Sequence, residues 1–218
     1  MAYEKLLNEI YAALSLEYIW PEYRPAFEKS ESPDWVNPAM ELGLEVSQAL
    51  MPEDGQTERF IEEYLGKPKE EIPLAALERY GDRLHFYQGR FWAVLPRENE
   101  RYSDFEKAAF RFEKKLEKLN TNYQKMRYNG LYLFLHPAGQ AIPDMAALSR
   151  WMGARQRRER VKFHWVFVHC RNRLYVFDFR KNRVDAYRIS AEGESFLNRE
   201  AERLRSDGKW RDGTPLIS

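Results

Sequence analysis

The sequence predicts an α/β protein built as one domain. Stretches with helical apolar spacing alternate along the chain with short strand-like apolar runs. Hydrophobic residues make up 44% of the 218 residues and aromatic residues 15%, which is enough for a packed core. Neither an internal repeat nor a low-complexity linker divides the chain, so we expect one α/β domain over residues 1–218. Its core should span about residues 1–190, followed by a charged C-terminal helix and tail at 191–218.

The first third of the chain predicts a helix followed by strands. Apolar residues at helical spacing between Tyr3 and Leu14 indicate an amphipathic helix over residues 3–17. The segment AFEK suits a short strand, and DWV and LGLEVSQAL, separated by a turn at NPAM, predict a strand pair. The segment TERFIEEYLG then predicts a helix with Thr57 near its N-cap and Gly66 near its C-cap.

The remaining elements follow from the same periodicities. The segment ALERY suits a helix, and RLHFYQGRFWAVL predicts a hairpin around Gln88-Gly89. Apolar residues at seven helically spaced positions from Phe105 to Tyr123 predict a long amphipathic helix. We expect a strand buried on both faces at 130–137, a helix from Asp144 to about residue 160, a hairpin with Arg171-Asn172 at its tip, a strand at RVDAYRI and a charged helix at 191–206.

Charge and cysteine content exclude several classes of protein. Lys and Arg total 35 against 34 acidic residues, so the overall charge predicts no polyanionic partner. The single cysteine, Cys170, excludes an internal disulfide and a multi-cysteine zinc site. Acidic residues interrupt the apolar run at the start of the chain, which fits neither a signal peptide nor a membrane span. We therefore expect a soluble, cytoplasmic protein with no membrane partner.

The predicted strand pair brings two carboxylates together. With a two-residue turn at Ala39-Met40, cross-strand pairing places Asp34 opposite Glu45, with Cβ atoms about 5 Å apart. The alternation of the strand turns Leu44 towards the core and Glu45 to the other side, where Gly43 should leave open space. Because Ala-Met is a poor turn sequence, a slip of one residue would change which side chains face each other.

Two interpretations of this acidic pair remain open. Like charges opposite each other destabilise a sheet unless one is protonated or a cation lies between them. A Mg²⁺ ion held by one or two carboxylates, waters and phosphate oxygens would suit the pair. Alternatively, the hairpin lies at a sheet edge, and its acids are solvated or paired with nearby basic residues.

The run Ser32-Pro33-Asp34, followed by Gly43-Leu44-Glu45-Val46-Ser47, resembles the core motif of the PD-(D/E)xK nuclease superfamily. The resemblance is specific over residues 32–48 and looser over residues 1–140, where the element order also fits. It implies a restriction-endonuclease-like fold, with a mixed central β-sheet flanked by helices. It further implies that Asp34 and Glu45 hold Mg²⁺, or Mn²⁺, against a scissile phosphodiester bond of DNA.

The sequence departs from the motif where the family carries a lysine, because Ser47 and then Gln48 follow Glu45. Some superfamily members place this lysine on a neighbouring helix. On the helix over 105–123, Lys115 lies at the edge of the apolar stripe, whereas Lys107, Lys114 and Lys118 face away. Lys115 or Gln48 would then position the attacking water, unless Lys115 merely covers apolar surface.

The first predicted helix offers an additional acid, as it sometimes does in this superfamily. The two candidates are Glu4 and Glu9, of which Glu4 lies closer to the apolar stripe. For both residues, a solvated position on the helix surface is the alternative interpretation.

A basic segment at residues 149–162 is the candidate contact with nucleic acid. It contains six cationic residues against one acid, Glu159: Arg150, Arg155, Arg157, Arg158, Arg160 and Lys162. These residues would contact phosphates, and Trp151 would stack on a base. A solvated helix end, with Trp151 in the core, is the alternative.

The sequence therefore supports three functional hypotheses. The first is a Mg²⁺-dependent DNA nuclease, or a protein descended from one that no longer cuts. The second is a non-catalytic nucleic-acid-binding module on the same fold, and the third is a protein-interaction module. DNA is the expected partner of an active enzyme, and a homodimer is an assembly that the sequence leaves open.

Overall fold

The computed structural model describes residues 2–20, 27–95, 102–121, 126–135, 142 and 144–208, with side chains from residue 5 onwards. The chain divides into two compact units, a division that the sequence did not reveal. The larger unit comprises residues 2–49 and 104–218, and the smaller one comprises residues 50–103.

The described elements confirm a mixed α/β architecture. In chain order they are α1 (Ala2–Ile19), β1 (Glu28–Lys29), β2 (Trp35–Asn37), β3 (Leu42–Gln48), α2 (Pro52–Tyr64), α3 (Leu74–Tyr80), β4 (Leu84–Tyr87), β5 (Arg90–Val94), α4 (Asp104–Thr121), β6 (Tyr128–Phe134), α5 (Met145–Arg155), β7 (Trp165–Cys170), β8 (Arg173–Asp178), β9 (Arg183–Arg188) and α6 (Ala191–Asp207). No helix within these residues is long and apolar enough to cross a membrane.

A mixed sheet forms the centre of the larger unit. Its described strands run in the order β1-β2-β3-β6-β7-β8-β9. The three central strands β3, β6 and β7 are parallel, and the outer neighbours pair antiparallel. Strand β6 is buried along most of its length, as the sequence predicted, because helices cover both faces of the sheet.

Each face of this sheet packs against a pair of helices. On one face, Leu44 and Tyr132 join residues of α1 and α6 in a hydrophobic core. On the other face, Leu133 and Val166 pack with residues of α4 and α5. Helix α6 contributes Leu197 and two further buried residues, Ala201 and Leu204, to the first core. The boundary of the core near residue 190 was therefore wrong, because α6 has a buried face.

The smaller unit has a hydrophobic core of its own. Phe60, Ile72, Tyr80 and Phe91 are buried together in it. The predicted hairpin is present as β4 and β5, and Gln88 and Gly89 at its tip have φ values of 49° and 74°. Positive φ at both central residues matches the twist of the flanking strands, and glycine adopts it without strain.

Two predicted helix boundaries were wrong. Helix α2 begins at Pro52 rather than near Thr57, whose hydroxyl donates to the Glu53 carbonyl inside the helix at 3.1 Å. Helix α5 starts after Asp144 as predicted but ends at Arg155, not near residue 160. The buried side chain of Gln156 accepts from the Phe163 N–H and donates to the Phe163 carbonyl, at 2.9 and 3.1 Å, which holds the intervening residues as a loop.

Candidate functional site

The hairpin of β2 and β3 adopts the predicted register. Val36 pairs with Gly43, and Trp35 pairs with Leu44. Asp34, the residue directly before β2, therefore lies opposite Glu45. The turn closes despite its poor sequence because the Asn37 side chain accepts from the Met40 N–H at 3.1 Å. Glu41 completes it with a φ of 51°. The Asn37 side chain thus supplies the turn-stabilising hydrogen bond that the Ala-Met pair cannot make with its own side chains.

Glu45 is almost fully buried, with 2% of its surface exposed. Its Oε1 contacts the Lys115 ammonium, and the Lys118 ammonium lies 3.7 Å from the same oxygen. Its Oε2 has no hydrogen-bond partner among the described residues. A buried oxygen without a partner is costly, so this atom is placed where a further donor or a cation would be favourable.

Asp34 is also buried, but the backbone holds one of its oxygens. Its Oδ2 accepts from the Val46 N–H at 2.8 Å, while its Oδ1 lies 3.9 Å from the Lys5 ammonium. Burial raises the pKa of Asp34 above its ordinary value, and the nearby charge of Glu9 raises it further. The Val46 hydrogen bond and the charges of Lys115 and Lys29 lower it, but the net shift is upwards.

Glu9 of α1 is the third carboxylate at this place. It is buried, and its Oε2 lies 2.7 Å from the Lys29 ammonium, while its Oε1 lies 3.4 Å from that of Lys5. The Glu9 carbonyl accepts from the Trp35 indole at 2.9 Å, which fixes α1 against β2. The solvated position expected for Glu9 was therefore wrong, and the side chain of Glu4 lies outside the described residues.

We call these seven residues the carboxylate–lysine cluster: Glu9, Asp34, Glu45, Lys5, Lys29, Lys115 and Lys118. Within the described residues, no three His, Cys, Asp or Glu side chains are arranged to ligate one metal ion. A Mg²⁺ ion needs only one or two carboxylates, because waters and phosphate oxygens complete its octahedron. The unpartnered Oε2 of Glu45 and the loosely paired Oδ1 of Asp34 fit that requirement.

The lysines of α4 follow the helical wheel only in part. Lys115 reaches the sheet as predicted, and Lys114 is exposed beside Glu117. Lys118 was predicted to face away but approaches Glu45, and Lys107 is buried. The wheel gives the direction of a Cβ atom, whereas a lysine has three further carbons and its ammonium nitrogen with which to bend back over apolar surface.

Two further expectations about this site were wrong. Gln48 lies on the face of Leu44 and Val46, because residues two apart on β3 share a face, so it points away from the Glu45 side. Gly43 leaves no open space: a Cβ atom there would lie 2.7 Å from Pro33 and 3.0 Å from Met126. The glycine is instead required by this close packing.

The basic segment runs from the second half of α5 into the loop that follows it, and its cations differ in their partners. Arg150 lies 3.4 Å from Asp144, and Arg155 contacts Glu113 at 2.7 Å and Glu159 at 3.2 Å. The other four cations are exposed and have no acidic partner within the part of the chain that the structure describes: Arg157, Arg158, Arg160 and Lys162.

Helix α4 holds the basic segment in place. The Asn120 side chain accepts from the Val161 N–H at 2.9 Å and donates to the Val161 carbonyl at 3.0 Å. Asn120 lies five residues after Lys115, about 8 Å along the helix axis. Trp151 does not face outwards to stack on a base, because it packs edge-on against Phe105 and Phe112 in the core.

Sequence reasoning missed two lysines of the cluster. Lys5 had a detectable signal, since it precedes Glu9 by four residues, the spacing of an ion pair on one helix face. Lys29 had none, because its contact with Glu9 joins a two-residue strand to a distant helix.

Comparison of the chain with protein-family models, with curated proteins and with solved structures finds no match.

Proposed function

We propose that the protein is a metal-dependent nuclease of the PD-(D/E)xK type, with a restriction-endonuclease-like core, that hydrolyses phosphodiester bonds of DNA. The observation that carries the proposal is the contact of Lys115 with Glu45, on the level of Asp34 across the hairpin. Lys115 comes from α4 and supplies the cation that the motif lacks at Ser47. The three groups on which the chemistry of this superfamily depends are thereby assembled from three separate elements.

The order of elements supports the same proposal. Helix α1, strands β1 to β3, helix α4 and strand β6 follow the helix–three strands–helix–strand order that the resemblance implies, with residues 50–103 inserted between β3 and α4. Strand β6 pairs parallel to β3, so α4 crosses over the sheet and brings Lys115 to Glu45.

Each residue has a distinct role in the proposed reaction. Asp34 and Glu45 would hold the ion, and the chemistry supplied by a bound ion would be the polarisation of a phosphoryl oxygen and a lower pKa for a water. Lys115 orients that water and donates to a phosphate oxygen. Glu9 and Lys29 act through Asp34: the charge of Glu9 raises the pKa of that carboxyl and the charge of Lys29 lowers it.

DNA is the proposed substrate because of the basic segment. Arg157, Arg158, Arg160 and Lys162 present four charges without acidic partners among the described residues. Asn120 anchors the loop of these residues to the helix that carries Lys115. Phosphate contacts from such a loop fix the position of a duplex without reading its sequence.

The proposal is tested by cleavage of supercoiled and linear DNA while Mg²⁺ or Mn²⁺ is titrated. Asp34→Ala should abolish cleavage, and Lys115→Met should reduce it by at least about a hundredfold, the usual scale for losing one charged catalytic group. Lys114→Met is the matched control, because Lys114 is an exposed neighbour on the same helix. Cleavage that survives Asp34→Ala unchanged would refute the mechanism.

One observation favours a second candidate function, a nucleic-acid-binding module without catalysis. The lysines of the carboxylate–lysine cluster already compensate its acids, which keeps the cluster stable in the absence of a metal ion. In that case DNA binding depends on salt but not on Mg²⁺. A protein that neither cuts nor binds DNA would leave the protein-interaction module as the remaining hypothesis.

A further inference from the structure

A cavity of about 340 Å³ lies in the larger unit, on the face of the sheet that α1 covers. Among the residues that line it are Leu42, Tyr128 and Trp165, the first residues of the parallel strands β3, β6 and β7. The Glu45 side chain points to the opposite face, so the cavity is separate from the carboxylate–lysine cluster. Its volume falls within the range of small-molecule sites, about 300–1,000 Å³.

Aromatic rings line this cavity. Trp20 meets Phe167 and Tyr187 edge-on, with ring centroids 5.8 and 5.4 Å apart. The rings of Tyr128 and Trp165 lie 5.7 Å apart where the parallel strands β6 and β7 begin. Rings arranged in this way favour a flat aromatic ligand, because one ring can lie against the face of the ligand and another against its edge.

The buried acids of the cavity already have partners. Glu17 is engaged in an interaction, and Asp178 Oδ1 accepts from the N–H groups of Arg180 and Lys181 at 2.9 and 3.0 Å. Recognition of a ligand in this cavity therefore depends on the aromatic rings and on cations, and not on a buried carboxylate.

Two cations lie at the rim of the cavity, just after β8 ends. Arg180 and Lys181 line the cavity and are exposed, whereas Arg183 is paired with Asp185 at 2.7 Å. The Arg180 guanidinium lies 5.0 Å from the ring centroids of both cavity-lining aromatic residues at the start of β6 and β7, and this contact holds its charge over the cavity walls. A ligand whose ring enters the cavity brings an attached phosphate to these cations.

The basic segment leads directly to this rim. The carbonyl of its last residue, Lys162, accepts from the side chain of Asn129, the residue after Tyr128, at 3.3 Å. The Asn129 N–H donates to His164 Nδ1 at 3.0 Å, and the Asn129 carbonyl accepts from the His164 N–H at 2.7 Å, one residue before Trp165. The segment therefore joins α4, to which it is anchored, to the cavity rim.

We infer that this cavity receives one unpaired nucleotide of a DNA strand, with the base between the aromatic rings and its phosphate at Arg180 and Lys181. The neighbouring phosphates follow the cations of the basic segment, which the Asn129 contacts hold beside the rim. A row of cations beside aromatic rings is the combination that binds single strands, and stacking accepts each of the four bases. The inference rests on the proposed function in one respect only, the choice of DNA as the partner.

The primary test compares two labelled single strands of about 12 nucleotides by fluorescence anisotropy with the full chain in EDTA. One strand has abasic deoxyribose at every position, and the other carries a single central thymine on the same abasic backbone. Both present the same phosphates, so a difference in affinity reports the base alone. The strand with the base should bind at least about fivefold more tightly, the scale of one stacked base, and adenine, guanine or cytosine in its place should give gains within about threefold of that value.

Two variants of the cavity separate the base from its phosphate. Tyr187→Ala removes a ring of the wall and should reduce the gain from the base, while binding of the fully abasic strand stays unchanged. Arg180→Ala should weaken the binding of both strands and flatten the slope of log K against log salt by about 0.7, the value for one phosphate contact of a single strand.

Matched controls lie on the other face of the same strands. Tyr175 packs in the core on the α4 side, and Arg188 is an exposed arginine at the far end of β9. Tyr175→Ala should leave the gain from the base unchanged, and Arg188→Ala should leave the salt slope unchanged. Thermal unfolding shows whether Tyr187→Ala folds, and the comparison of the two strands on the wild type decides the matter if it does not.

Failure of this inference and failure of the proposed nuclease are distinguishable, because binding is measured in EDTA and cleavage in Mg²⁺. A protein that does not cut DNA but binds the thymine-bearing strand more tightly than the abasic one supports the inference. Equal affinity of the folded wild type for both strands, binding of neither strand, or a full gain from the base in folded Tyr187→Ala would overturn it, even if the protein cuts DNA.

Discussion

Buried charges at the carboxylate–lysine cluster are compensated by lysines, most of which come from other elements. Glu9, Asp34 and Glu45 are each at most 5% exposed. Removing one partner of a buried ion pair costs about 3–5 kcal/mol, because the remaining charge stays out of water without compensation. Lys29 and Lys115 therefore stabilise the folded protein whether or not it cuts DNA, and a stability measurement must accompany every activity assay of their variants.

The raised pKa of Asp34 makes stability depend on pH. The folded pKa lies above the ordinary value of 3.8, so folding favours the protonated form. The contribution is fully present below the unfolded pKa and is lost as the pH rises through the folded pKa. Asp34→Asn cannot ionise. Between the unfolded and the folded pKa of Asp34, the free energy of unfolding of this variant should therefore rise relative to that of the wild type, and at higher pH the difference should stay constant.

Urea unfolding at a series of pH values measures this difference. Glu117→Gln, on the exposed side of α4, controls for the loss of one negative charge. At neutral pH, added Mg²⁺ should raise the free energy of unfolding of the wild type but not that of Asp34→Asn, because an ion bound by the carboxylate stabilises only the folded wild type. If the free energy of unfolding of Asp34→Asn fell relative to that of the wild type as the pH rises in metal-free buffer, the upward shift of the Asp34 pKa would be contradicted.

Gly43 is expected to be intolerant of any side chain. Gly43→Ala places a methyl group 2.7 Å from Pro33 Cγ and 3.0 Å from Met126 Cγ, which should destabilise the protein by about 1–3 kcal/mol. Gly153→Ala in α5 is the control: its nearest contact, with Phe179, would be an ordinary 3.5 Å. Because alanine favours the helix, that variant should gain up to about 1 kcal/mol in chemical denaturation. Equal effects at both positions would contradict this account.

Among the secondary-structure elements, α4 links the core, the carboxylate–lysine cluster and the basic segment. Phe112 and Leu116 bury its apolar stripe against the sheet. Lys115 leaves the edge of that stripe towards Glu45, and Asn120 at the last turn holds Val161. A helix packed this firmly fixes the distance between the cluster and the loop, which a mobile segment would not do.

The loop of the basic segment should supply the salt dependence of DNA binding. Replacing Arg157, Arg158, Arg160 and Lys162 together by alanine removes up to four phosphate contacts. Each contact contributes about 0.9 to the slope of log K against log salt, so the slope should flatten by about 2–4. Fluorescence anisotropy with a labelled duplex at several salt concentrations measures it.

Arg155→Ala provides the comparison within the same segment. Its guanidinium is already paired with Glu113 and Glu159, so its loss should change the slope far less than the fourfold variant does. An unchanged slope in the fourfold variant would show that DNA, if bound, contacts another surface.

At the scale of the whole molecule, each of the two compact units has hydrophobic packing of its own. Phe91 is 1% exposed in the core of the smaller unit. Phe91→Ala should cost about 3–5 kcal/mol through lost burial and the cavity that remains. Amide hydrogen exchange should then lose protection in α2 and the β4–β5 hairpin but keep it in β6 and β7, because local stability follows local packing.

Leu133→Ala is the reciprocal variant. It opens a cavity in the core on the α4 side of the larger sheet and should reduce protection in β6 and β7. If both variants reduced protection equally throughout the chain, the two units would unfold as one cooperative structure, and the division of the chain would have no energetic counterpart.

Sequence patterns predicted local structure well and tertiary contacts poorly. The register of Asp34 and Glu45 followed from strand pairing across a short turn, and the direction of Lys115 followed from the helical repeat. Both depend on residues close together in the chain. The extent of the basic helix was wrong because the Gln156 side chain binds the Phe163 backbone, a contact with no signature in the local pattern.

By itself, the sequence determined the alternation that turns Glu45 away from the core of Leu44 and the helical spacing that aims Lys115 towards the sheet. Periods of two and 3.6 residues are properties of the backbone, and they hold before anything is packed. Only the tertiary structure decided that Glu9 lies near enough to Asp34 to raise its pKa, and that Pro33 occupies the space beside Gly43. It also decided that aromatic rings line a cavity beneath α1. Those outcomes depend on which helix covers which strand, because burial and charge pairing are set by neighbours far apart in the chain.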